Sequence, residues 1–203
     1  MIHNFRKLLT VLATSASLAA GAGAATAADY PERPIKMVVL LSAGGVTDTA
    51  ARFFAEHLSE EIGQPVSVEN KPGGGGLVGV SSVAQENPDG YTVCFCSSAP
   101  ITLLPLQRDN LSYDPKALTV ISHLYNVDLF LVARKELGIN TFDEFVEKAK
   151  ASPGMTYGST GAGGITHLGM ALIAKEAGLE MTHVPYQGGS PLMVDLLGGR
   201  IDF

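Results

Sequence analysis

Residues 34–41 read PIKMVVLL, a run in which only one side chain is polar. A strand with one wet face alternates apolar and polar residues, so a run like this is expected where a strand is covered on both faces. What comes next narrows the choice. SAGGVTD is a glycine-bearing loop, and TAARFFAEHLSEEIG sets Ala50, Phe54, Leu58 and Ile62 at helical spacing before Gly63 and Pro65. A second strand at residues 65–69, the loop NKPGGGG, another helix and a third strand at residues 91–96 follow. Strand alternating with helix predicts an α/β fold with a parallel sheet and crossover helices.

The second half repeats the alternation. Two strand-like runs, residues 118–124 and 128–133, are joined through Tyr125 and Asn126. They mark a boundary near residues 123–128, dividing the chain into one α/β domain at residues 28–125 and another at 126–203. Thr141 and Glu144 form a capping box opening a helix, which Pro153 and Gly154 end. A strand at residues 155–157, a glycine loop, a helix at 166–177 and a strand at 181–185 come next. The last helix has Ser190 at its cap, Pro191 at its first position and Gly198 after its end. Residues 201–203 open one more strand without a closing helix, so the second unit is expected to be incomplete.

The beginning of the chain sets the compartment. Arg6 and Lys7 precede a short apolar stretch, and Ala25, Thr26 and Ala27 form a small-x-small cleavage site. Residues 1–27 thus read as a secretory signal peptide, and the protein as periplasmic. The chain carries 14 basic and 20 acidic side chains, a net charge of -6. Removing the leader takes away two basic groups and leaves about -8. That balance excludes nucleic acid and anionic membrane surfaces as partners, and any anionic ligand must be held by local donors. Cys94 and Cys96, two apart on a strand, are poorly placed for a disulfide and have no nearby metal-ligating companion. They are expected to be buried small apolar residues.

The glycine loops carry the chemistry. YGSTGAGGITHLGM, starting at Tyr157, has the spacing of a P-loop, but Gly164 and Ile165 stand where lysine and a hydroxyl residue are required. Read as a dinucleotide fingerprint from Gly161 and Gly163, it has Thr166 in place of the third glycine. Both nucleotide motifs fail at the residues that matter, and no cofactor is expected. A more general property survives: N–H groups at a helix start receive small anions, here with Ser159, Thr160 and Thr166 as added hydroxyl donors. Residues 42–48 and the loop of Tyr186, Gln187, Gly188 and Gly189 repeat the design, the first with Thr47 or Asp48 as cap. Ser97 and Ser98 close the third strand at the same edge. In an open parallel sheet such loops gather at the carboxyl edge, where ligands bind, so a dicarboxylate fits this arrangement without any arginine. Histidines 57, 123, 167 and 183 have no metal-ligand spacing, and no metal site is expected.

Taken in order, PERPIKMVVLLSAGGVTDTAAR, ENKPGGGGLVGVSSVA, NPDGYTV, YGSTGAGGITHLGM and HVPYQGGSPLMVDLLGGRIDF resemble the periplasmic solute-binding proteins of tripartite tricarboxylate transporters, the Bug or TctC-like family. The resemblance runs from about Tyr30 to Phe203. It implies a periplasmic-binding-protein-like (type II) two-domain clamp with parallel-rich sheets, not an enzyme. A monomer of this kind delivers a small carboxylate, such as a di- or tricarboxylate, to transporter membrane subunits. Carried onto this chain, the ligand contacts are Ser42, Ala43, Gly44, Gly45, Thr47, Asp48, Ser97, Ser98, Ser159, Thr160, Gly161, Gly163, Thr166, His167, Tyr186 and Gly188. The chain departs from the family at Leu40, Leu41, Ser42 and Ala43, where a proline-rich turn is usual, and at Cys96, where a glycine or small residue is usual. Family members also continue beyond this end by roughly a hundred residues, the size of a small domain. Two alternatives accompany this reading: an exported carboxylate-processing enzyme using Asp48 or His167, and a truncated product without function.

Overall fold

The computed structural model describes residues 30–203, with one compact unit spanning Arg33–Phe203. The expected signal peptide lies outside the described residues. The order of elements is β1 (Ile35–Val39), α1 (Val46–Ile62), β2 (Val66–Asn70), α2 (Leu77–Ala84), β3 (Thr92–Phe95), two short helices α3 (Ala99–Thr102) and α4 (Leu104–Gln107), α5 (Phe142–Ala151), β4 (Met155–Ser159), α6 (Ile165–Ala177), β5 (Met181–Pro185) and α7 (Gly189–Leu197). The first three strands form a parallel sheet in the order β2-β1-β3, and β4 pairs with β5, again in parallel.

The position of β1 explains its composition. As the central strand it turns Met37 and Val39 toward α1, where they meet Ala51 and Ala55. Val38 and Leu40 face the other way and pack with Val80 of α2 and with Tyr113. Val38 and Val39 are fully buried. Each such side chain stabilises the fold by about 1.5–3 kcal/mol, so a polar run could not occupy this strand.

The β4-β5 sheet is built on the same plan. Tyr157 points into a cluster with Phe145 of α5, Met170 of α6, Leu179 and Phe203. On the opposite face, α7 comes so close to Gly158 that a Cβ there would sit 2.9 Å from Leu192. The last residues run along β4, with the Gly158 N–H donating to the Phe203 carbonyl at 2.8 Å and the Phe203 N–H to the Thr156 carbonyl at 3.1 Å. Asp202 ties this edge together. Its carboxylate accepts from the Thr156 N–H at 2.9 Å and the Thr156 hydroxyl at 3.0 Å, and pairs with Arg134 at 3.0 Å.

Most sequence expectations hold. The capping box is present, with Thr141 accepting from the Glu144 N–H and Glu144 reaching back to the Thr141 N–H. Gly63 and Gly178 end α1 and α6, and Gly198 ends α7. Two helix starts differ: Gly45 rather than Thr47 or Asp48 caps α1, and Gly188 rather than Ser190 caps α7. Pro191 is therefore third in α7, not first.

The largest departure is at residues 118–124 and 128–133, which are irregular instead of strands. Their β-branched and aromatic residues favour an extended chain, but a strand needs a neighbouring backbone to pair with, and none of the described strands pairs with them. Val120, Ile121 and Phe130 are consequently exposed. Leu118 packs against the cluster of Val38, Leu40, Val80 and Tyr113, and Tyr125 stacks on Phe95 at 5.9 Å between ring centroids. Cys94 and Cys96 are both free thiols, but only Cys94 is half-buried; Cys96 is exposed, contrary to expectation, because it lies past the last paired residue of β3.

Candidate ligand-binding site

Helices α1, α6 and α7, like α2 on Gly76, begin on glycine caps, Gly45, Gly164 and Gly188, and none has a side chain bonded to its first N–H groups. The first turns of a helix carry N–H groups without intrahelical acceptors and a partial positive charge. The loops that precede these helices touch one another. The Ser42 N–H donates to the Gln187 carbonyl at 2.9 Å, and the Ser190 hydroxyl donates to the Ala43 carbonyl at 3.3 Å. The Tyr186 N–H donates to the Ser159 carbonyl at 2.9 Å, linking the second loop to the third.

The first loop is braced by charge. Asp48, 3% exposed, accepts from the Gly44 N–H at 2.8 Å, from Arg52 Nε at 3.0 Å and from the Asn70 amide at 2.9 Å. Arg52 also reaches the other carboxylate oxygen at 3.0 Å, completing a two-pronged pair. The Asn70 amide further donates to the Leu41 carbonyl at 3.0 Å. Burial works against the Asp48 charge, but hydrogen bonds from Arg52, Gly44 and Asn70 outweigh it and hold the carboxyl below its ordinary range. Its acceptor capacity is spent on shaping the loop. An arginine is thus present at this edge after all, but it serves Asp48.

The third loop is braced without charge. Ser159 is fully buried; its Oγ lies 2.7 Å from His183 Nε2 and accepts from the Gly161 N–H at 3.2 Å. The Thr160 N–H donates to the Thr166 hydroxyl, and the two threonine hydroxyls are 3.0 Å apart. His167 Nδ1 accepts from the Gly163 N–H at 3.1 Å. The Ser159, Thr160 and Thr166 hydroxyls expected to face a ligand are therefore engaged within the loop, beside helix N–H groups that no side chain caps.

Other contacts come from places the sequence reading did not single out. Gly75 lies against the third loop: a Cβ on it would fall 2.6 Å from the Ala162 carbonyl oxygen, and one on Gly161 would fall 2.9 Å from the Gly75 Cα. Gly75 also has φ +67, a conformation side-chain-bearing residues avoid. Gln107 of α4 donates to the Gly163 carbonyl at 3.0 Å. The four-glycine run in NKPGGGG was visible in the sequence; Arg52, Asn70, Gln107 and His183 had no local signal.

Among the remaining expected positions, Tyr186 bonds through its hydroxyl to Asp195 at 2.8 Å. The Ser98 carbonyl accepts from the N–H groups of Ile101 and Thr102, both at 2.9 Å. Ser97 is exposed next to it, and Thr47 is half-buried in the first turn of α1. The Ser42 hydroxyl is buried with no hydrogen-bond partner. A cavity of about 330 Å³ lined by Arg33, Lys36, Glu86 and Asp89 lies at the opposite end of the first sheet, beside the N-terminal ends of β1 and β3. There both cations are paired, Arg33 with Asp89 and Lys36 with Glu86. No group of three or more metal-ligating side chains occurs among the described residues, and none of their helices is long and apolar enough to cross a membrane.

This α/β frame with its loop edge matches proteins of one family. Residues 50–203 match the tripartite tricarboxylate transporter family receptor, and the chain belongs to that family. Protein BugT of Bordetella pertussis is 35% identical over 201 residues, which are 98% of this chain and 62% of that protein. Among solved structures, MatC from Rhodopseudomonas palustris with bound malate has a TM-score of 0.76 at 28% identity, covering 85% of this chain and 60% of that one. The R. palustris protein Rpa4515 with adipate has a TM-score of 0.72 at 30% identity, covering 85% of this chain and 58% of that one. This chain spans 50% to 62% of the length of the curated relatives it matches over most of its own length. The family consists of periplasmic solute-binding receptors, not enzymes.

Proposed function

We propose that this chain forms the ligand-gripping part of a periplasmic receptor for a small carboxylate. The observation that carries the reading is the gathering of three side-chain-free helix starts, those of α1, α6 and α7, through loops in mutual contact. Backbone N–H groups and aligned peptide dipoles suit a carboxylate, which a chain with a net charge of -6 must otherwise repel. Malate and adipate, named with the structural neighbours, are short dicarboxylates and fit the same logic.

In this reading residues 28–125 and 126–203 are two lobes, with residues 42–48 and 97–98 on one and residues 159–167 and 186–188 on the other. The protein is exported by its leader, works as a monomer and delivers its ligand to transporter membrane subunits. Asp48 and His167 are positioning groups. The test is isothermal titration with malate, adipate, citrate, amino acids and ATP. Saturable binding of at least one carboxylate is expected. If ATP binds and no carboxylate does, the proposal fails.

A further inference from the structure

Beneath the loop at residues 159–164 lies a small stack of rings. The His167 and His183 imidazoles are 4.0 Å apart between centroids and inclined by 24°. Tyr157 extends the stack, 5.0 Å from His183 and 6.5 Å from His167. The three rings come from three elements: Tyr157 from β4, His167 from α6 and His183 from β5. Register explains part of this, since Tyr157 and His183 are direct partners in the parallel pair.

The hydrogen bonds give the stack a direction. An N–H can donate to His167 Nδ1 only while that nitrogen carries no proton, so the Gly163 contact at 3.1 Å requires neutral His167 with its proton on Nε2. Gly163 is held from its other side too, by the Gln107 amide on its carbonyl at 3.0 Å. A proton on Nδ1 replaces an acceptor with a donor facing the Gly163 N–H. We propose that His167 and His183 form a pH-sensitive prop that fixes Gly163 against Gln107 only while His167 is neutral.

His183 makes the prop respond as a pair. It keeps its Ser159 contact at 2.7 Å in either protonation state, because a hydroxyl both donates and accepts. A positive charge on the His167 ring, 4.0 Å away, disfavours a second one on His183. Burial first, and His167 second, push His183 below its ordinary value, and no carboxylate contributes. The facing titratable group is Tyr157, whose phenol burial pushes up and keeps neutral. The next residue toward the neighbouring loop, Tyr186, is bonded to Asp195, which also pairs with Arg200. From α4 comes the uncharged Gln107, while α7 packs on the other face of the sheet, against Gly158.

This inference needs no ligand, so it stands or falls separately from the receptor proposal. It is tested by NMR of the unliganded chain between about pH 8 and pH 5, following the histidine rings, the Gly163 amide and the Gln107 side-chain amide. The Gly163 and Gln107 signals are expected to move with the same midpoint as the His167 ring. His167→Gln should raise the His183 midpoint by removing the neighbouring charge. His167→Gln, which supplies an uncharged acceptor, should leave Gly163 insensitive to pH. Gly163 and Gln107 signals that stay fixed while His167 titrates in the wild-type chain overturn the proposal, and so does a His183 midpoint unchanged in His167→Gln.

Discussion

Two loops of this protein solve the same problem with different chemistry. Both connect a parallel strand to a glycine-capped helix, and both must hold a glycine-rich backbone in one shape without covering the helix start. At residues 42–48 the brace is a buried carboxylate with an arginine and an asparagine. At residues 159–167 it is a serine, two imidazoles and a pair of threonines. The difference teaches where each loop is vulnerable. A charge-braced loop depends on one residue and yields only to strong acid; an imidazole-braced loop spreads its load and responds near neutrality.

The largest effect follows from removing the single brace. Asp48→Ala removes the acceptor of the Gly44 N–H and of one Asn70 amide N–H, the other keeping the Leu41 carbonyl, while the half-exposed Arg52 reverts to solvent, so the ion pair itself counts for little. The expected loss is roughly 2–3 kcal/mol of stability, read from urea unfolding. A loss below about 0.5 kcal/mol would show that Asp48 is not the brace.

Next comes the contact between the third loop and Gly75. Gly75→Ala adds a methyl where the Ala162 carbonyl lies 2.6 Å away and demands φ +67 of a residue with a side chain. A cost of about 2 kcal/mol is expected, with amide exchange accelerated in residues 161–164. Ser159→Ala should cost less, about 1–2 kcal/mol, because it leaves the buried Gly161 N–H unpaired but keeps the ring stack. If Ser159→Ala proves costlier than Asp48→Ala, the contrast between a concentrated and a distributed brace is wrong.

The smallest effect is in the pH dependence, where the two loops separate. Asp48 has a folded value below its ordinary one, so its stabilisation is complete above about pH 4 and is lost as pH falls through that lower folded value. His183 is also lowered, but it is a base: its contribution is complete above about pH 6.5 and declines as pH falls toward its folded value. A melting-temperature profile should therefore fall in two stages, and His183→Gln should flatten only the stage nearer neutrality. A single stage in the wild-type chain would contradict this separation.

The legibility of the fold followed the same division between local and distant causes. β1 was readable because four consecutive apolar residues are needed only when both faces are covered, and Met37, Val38, Val39 and Leu40 divide between α1 and α2 as that requires. The capping box at Thr141 was readable because both partners lie within one turn. Residues 118–133 were misread for a physical reason: extended propensity is local, but pairing is not. The loops of the site were legible as glycine-rich helix starts, while their braces were not. Asn70 lies 22 positions from Asp48, and His183 lies 24 from Ser159, so only the parallel register brings them together.

The central claim is that the starts of α1, α6 and α7 act together on one carboxylate ligand. The most direct measurement is the backbone amide spectrum of the chain titrated with malate and adipate. The account predicts the largest shifts at the first-turn amides Val46, Thr47, Ile165, Thr166, Gly189 and Ser190, saturating with one midpoint. Shifts confined to Arg33, Lys36 and their neighbours at the opposite end of the sheet, with those six amides unmoved, would contradict it.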